Sequence, residues 1–145
     1  MKKLLVLVAG MAACSALVVA GPAAASPRSG ALHITKECSQ YTGEAGSFCT
    51  ITSSNLNAIG AGAKVIYTSP PGATGLDTDV VLYTGPGNSA FGHVTLSFAT
   101  LSGTVTFSGG TGKFRGFNAN VVVTYNPETN LWYWDVTFSF DPGDQ

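Results

Sequence analysis

Leu131-Trp132-Tyr133-Trp134-Asp135-Val136-Thr137-Phe138-Ser139-Phe140 alternates with a period of two. Trp132, Trp134, Val136, Phe138 and Phe140 share one face, and Tyr133, Asp135, Thr137 and Ser139 share the other. A helix would need apolar residues three and four apart; a period of two belongs to a strand with one buried and one wetter face. The same period recurs upstream. Phe117, Ala119, Val121, Val123 and Tyr125 oppose Gly116, Asn118, Asn120 and Thr124, and Val94, Leu96 and Phe98 oppose His93, Thr95 and Ser97.

Between these runs lie segments that turn by composition: Ser69-Pro70-Pro71-Gly72, Gly85-Pro86-Gly87-Asn88, Ser102-Gly103, Gly109-Gly110 and Asn126-Pro127-Glu128-Thr129-Asn130. Together they predict strands over 31–35, 48–53, 64–68, 79–84, 91–98, 103–108, 114–125 and 131–140, the last two forming a long hairpin. No convincing amphipathic helix interrupts them. The expected class is all-β, as a closed antiparallel barrel or, alternatively, a β-sandwich.

Composition narrows the function classes. Of 145 residues, seven are Lys or Arg and eight are Asp or Glu, a charged share of 10%, against roughly 25% in ordinary soluble domains. A disordered charged tail carries more charge and fewer aromatics. A nucleic-acid binder shows a basic patch, and the net charge here is −1. No nucleic-acid partner is expected.

The first 25 residues read as a secretory signal. Lys2 and Lys3 are its positive end, Leu4 to Ala20 its apolar run, and Gly21-Pro22 the break before Ala23-Ala24-Ala25. Cleavage is expected between Ala25 and Ser26, leaving 26–145 as one secreted domain. The alternatives are an uncleaved anchor and a lipoprotein attached at Cys14, where Met11-Ala12-Ala13-Cys14 resembles a lipobox. No second apolar run approaches membrane-spanning length, so no stable membrane insertion is expected after cleavage. Cys38 and Cys49 then remain, and an even pair in a secreted chain reads as one disulfide.

Motifs with chemistry are few. Ser108-Gly109-Gly110-Thr111-Gly112-Lys113-Phe114 is no phosphate loop, because Phe107 stands where the first Gly belongs and Phe114 where a Ser or Thr would ligate magnesium. Gly87-Asn88-Ser89-Ala90-Phe91-Gly92 has the wrong spacing for a serine-hydrolase elbow. His33 and His93 are too few for a histidine metal cage, and a lone Asp77-Thr78-Asp79 is a weak calcium signal. Neither metal nor cofactor is expected. His93 is expected in solvent, and Trp132 and Trp134 in the core rather than on a sugar. Asp79 and Asp135 stand out as carboxylates within neutral strands. Inside a barrel each would be costly unless hydrogen-bonded, and then often functional.

Gly109-Gly110-Thr111-Gly112-Lys113-Phe114-Arg115-Gly116 resembles the Gly-Gly-Thr-Gly-x-Phe signature of dirigent proteins and allene oxide cyclase-like barrels. The strand with Val121-Val122-Val123-Thr124-Tyr125, the aromatic final strand, and the Asp79–Tyr83 strand followed by Gly92-His93-Val94-Thr95 extend the likeness over about residues 76–140. The segment from Cys38 to Ile59 looks more like small secreted bacterial members of that superfamily. The resemblance implies an eight-stranded up-and-down barrel, calycin-like, with a cavity for a hydrophobic or phenolic ligand. The family's cyclases close an unsaturated fatty-acid epoxide without a cofactor, and its dirigent members steer radical coupling without oxidising anything. The glycine turn itself, Gly109, Gly110, Thr111 and Gly112, reads as structural.

Three functions follow as expectations. The first is a secreted barrel binding a small apolar or aromatic ligand without catalysis, with Tyr67, Asp79, Tyr83, Asn118, Tyr133 and Asp135 as the candidate polar groups of its cavity. The second is a cofactor-free isomerase or cyclase in which Asp79 or Asp135 and a tyrosine converge on the ligand. The third is a surface protein whose outer Thr-rich face adheres to a polymer. The sequence leaves the ligand, the oligomeric state and the presence of turnover open.

Overall fold

The computed structural model describes residues 28–141. The expected signal segment, with Cys14, lies outside them. Eight strands follow one another: β1 (Ser29–Glu37), β2 (Phe48–Ser54), β3 (Lys64–Tyr67), β4 (Gly75–Gly85), β5 (Asn88–Ser97), β6 (Ser102–Thr111), β7 (Phe117–Asn126) and β8 (Leu131–Phe140). Each pairs antiparallel with the next, and β8 pairs with β1, so the sheet closes into an up-and-down barrel. Closure satisfies every strand edge, which the two sheets of a sandwich leave open.

Several strands depart from their expected bounds, β1, β5 and β6 by running longer at one or both ends, and two of the departures matter most for the fold. β4 begins at Gly75 rather than 79. Leu76, Thr78, Val80 and Leu82 all point inward, so Asp77 and Asp79 ride the outer face of a continuous strand. The expected strand over 114–125 begins only at Phe117, because Gly112–Phe114 is a single 3-10 turn. That turn buries Phe114 and Phe117 three residues apart, a spacing that a period of two cannot produce.

The glycine turn has a steric reason. A Cβ on Gly110 would sit 2.2 Å from the Ser89 carbonyl oxygen and 2.7 Å from Phe114 Cβ. Gly112 has a left-handed φ of 57°, and its Cβ would meet Asn88 Oδ1 at 2.2 Å. Asn88 Oδ1 accepts instead from the Lys113 backbone N–H at 3.0 Å, fastening the turn to the start of β5.

The two ends of the barrel differ. At the end served by the β2–β3, β4–β5 and β6–β7 connections, Leu56, Ile59 and Phe114 are buried beneath the strands. Above them Phe107, Phe117 and Trp134 pack ring to ring, with centroids 5.6 Å apart for Phe107 and Trp134 and 5.8 Å for Phe107 and Phe117. This end is solid. The other end carries the β1–β2, β3–β4, β5–β6 and β7–β8 connections, and there the interior is not filled. The disulfide Cys38–Cys49 ties the end of β1 to the start of β2 beside this mouth.

Candidate functional site

Leu32, Ile34 and Lys36 occupy successive inward positions of β1. Two of them are ordinary core residues; the third places an amine inside the barrel, 4% exposed. Lys36 and Thr78 are the buried polar or charged side chains of the described residues. Thr78 is satisfied within the wall, since its hydroxyl bonds that of Ser69. Lys36 has no carboxylate partner among the described residues. Its Nζ donates to Tyr67 Oη at 2.5 Å and lies 5.2 Å from the ring centres of Tyr67 and Trp134 and 5.9 Å from that of Trp132.

This cage decides the protonation state. Desolvation penalises the ammonium and lowers the Lys36 pKa from its ordinary 10.5 to about 7. The three ring faces attract the cation and act in the opposite sense, but they supply no counter-charge. The amine is therefore partly neutral at physiological pH. Burial, with Tyr41 adding to it, pushes the Tyr67 phenol above its usual range. Tyr67 consequently keeps its proton. Its hydroxyl lies 3.6 Å from Cys49 Sγ, and because a disulfide sulfur carries no hydrogen, the hydroxyl is the donor there.

Beside Lys36 is a cavity of about 140 Å³ lined by Lys36, Tyr41, Tyr67, Leu76, Leu96, Trp132 and the disulfide, with Phe98 and Leu101 at its rim. Phe98 and Leu101 are 40% and 39% exposed, and Leu101 holds a left-handed φ of 51° in the β5–β6 turn. The wall is apolar apart from three polar atoms: Lys36 Nζ, Tyr67 Oη and the buried Tyr41 hydroxyl, which has no hydrogen-bond partner among the described residues. A mostly apolar concavity with a few converging polar groups is the usual form of a small-molecule site. An apolar cavity of about 150 Å³ is large enough to take up benzene, so one aromatic ring fits here.

The other sequence candidates lie elsewhere. Tyr67 is on the cavity wall. Asp79, Tyr83, Asn118, Tyr133 and Asp135 project from the outer face of the barrel. Asp135 meets His33 Nδ1 at 2.7 Å across the β1–β8 pair. Asp79 and Asp77 hold the two ring nitrogens of His93 at 2.8 and 2.5 Å. Those two hydrogen bonds, Asp79 first, raise the His93 pKa, because both favour the doubly protonated ring. Asn118 donates to the Gly116 carbonyl at 2.9 Å. Asp79 lines an open outer-face depression of about 520 Å³ with Thr68, His93, Thr106 and Ser108, and no tyrosine lines it. Trp134 is in the core, and Trp132 is half-buried on the cavity wall.

Comparison with protein-family models, with curated proteins and with solved structures finds no match. The site therefore rests on its own geometry. Lys36 lies one position beyond the expected strand over 31–35 and is not among the sequence candidates. The signal was present: Leu32, Ile34 and Lys36 continue the alternation by one more step. Phe98 likewise continues the apolar face of Val94 and Leu96, whereas Tyr41 and Leu101 carry no such signal, since their place at the mouth follows from which loops share that end.

Proposed function

We propose that the protein is a secreted barrel that holds one small apolar or phenolic ligand in its mouth cavity without converting it. The observation that carries this reading is the convergence of Lys36 Nζ and Tyr67 Oη on an otherwise apolar cavity the size of one ring. An amine of lowered pKa beside a protonated phenol suits a ligand hydroxyl that can give or share a proton. The barrel topology and the tight Gly110–Gly112 turn support grouping the chain with the allene oxide cyclase and dirigent-like barrels. The cyclase alternative is less favoured. Its carboxylates lie on the outer face, where Asp79 lines an open depression without a tyrosine and Asp135 pairs with His33.

The two tryptophans of the chain both lie within 6 Å of Lys36 Nζ by ring centre, so intrinsic fluorescence reports on this site. Titration with p-cresol should give a saturable change. Lys36→Met should bind toluene as the native protein does but lose about tenfold in affinity for p-cresol, the worth of one hydrogen bond to a charged group. Absence of saturation with every single-ring ligand would overturn the reading.

A further inference from the structure

We infer that Lys36 is a covalent capture site for small aromatic aldehydes, which its Nζ holds as an imine inside the barrel mouth. The inference rests on reading the mouth cavity as a ligand site and adds the class of ligand and the bond it makes.

The geometry supplies each requirement. An imine-forming amine must be reachable, unpaired and partly neutral. Lys36 lines the cavity, has no carboxylate partner among the described residues, and is held by a hydroxyl and three ring faces. Desolvation keeps a neutral fraction present near pH 7. An apolar wall also disfavours the water that would hydrolyse the product. The ring of an aldehyde such as benzaldehyde matches the cavity volume, and Lys36 on the wall lies within reach of its carbonyl carbon.

The steps balance without an oxidant or cofactor. The Nζ lone pair adds to the carbonyl carbon, the C=O π electrons move to oxygen, and one amine proton passes to that oxygen to give a carbinolamine. The second amine proton leaves with the hydroxyl as water while the C=N bond forms. Tyr67, whose Oη is 2.5 Å from Nζ, stands where it can hand a proton to the departing hydroxyl and recover one from nitrogen. The amine and the aldehyde thus give one imine and one water. The other described lysines, Lys64 and Lys113, are exposed. At neutral pH an ordinary lysine is neutral in about one molecule per thousand, so selectivity for Lys36 is built into its surroundings.

The full mature protein is incubated with 4-hydroxybenzaldehyde and cyanoborohydride at neutral pH, digested and mapped by mass spectrometry. A parallel fluorescence titration uses p-cresol, which has the same ring and hydroxyl but no carbonyl. One reduced adduct on Lys36 is expected, formed about a hundredfold faster than on Lys64 or Lys113, with excess p-cresol suppressing it. Adducts on Lys64 and Lys113 but none on Lys36, with saturable p-cresol binding, would overturn the covalent inference and leave the binding reading standing. No adduct on Lys36 and no response to p-cresol would overturn both. The site is mapped on the native protein, so the result does not depend on whether a Lys36 variant folds.

Discussion

Burial of Lys36 with no counter-charge among the described residues should lower the stability of the fold it sits in. An unfolded chain keeps the amine protonated to about its ordinary 10.5, whereas the folded chain releases that proton near 7. Between those values the unfolded state binds more protons, so stability should rise with pH over that window and level off below it. The difference of roughly three pKa units corresponds to on the order of 5 kcal/mol at about 1.4 kcal/mol per unit. Lys36→Met should abolish that slope and raise stability at pH 6 by up to that amount, as read by urea denaturation across pH. A variant less stable than the native protein at pH 6 would mean that the rings and Tyr67 more than repay the burial. At the same scale, Asp79 and Asp135 were singled out because strand carboxylates in a charge-poor chain draw attention. Each instead pairs with a histidine on the outer face, where partial solvation makes the ion pair a small stability term.

Among the elements, the strands were legible and the turns less so. β8 keeps its expected bounds, 131–140, because its alternation is uninterrupted. β4 starts four residues before its expected start at 79, and the inward Leu76 and Thr78 continue the pattern of Val80 and Leu82. The sequence expectation places Gly112 in the glycine turn and begins the strand at Phe114, which the structure keeps in the 3-10 turn. Its glycines yield a test at this scale. Gly110→Ala drives a methyl group against the Ser89 carbonyl and Phe114. It should cost about 1–3 kcal/mol, the usual range for overpacking a filled site, measured by thermal or urea unfolding. A neutral outcome would show that the β5–β6 edge yields more readily than its close contacts suggest.

For the molecule as a whole, the asymmetry between the two ends is the property that matters. Leu56, Ile59 and Phe114 plug one end, and Tyr41, Phe98 and Leu101 ring the other. The Cys38–Cys49 bond, closing a separation of 11 residues, braces the open end. Replacing both cysteines by serine should cost about 3 kcal/mol by the chain-entropy relation for a loop of this length. It should also weaken p-cresol binding more than it weakens the protein at the plugged end, which hydrogen exchange resolves by comparing β1 and β2 with β6 and β7. The sequence alone determined the all-β class, the strand faces and the cysteine pair, because a period of two and a cysteine count are local properties. Barrel closure, the plugged and open ends, and the lysine caged by rings from β3 and β8 were decided only by tertiary structure. Those depend on which loops and inward positions share a layer of the barrel, and the strand register sets that layer.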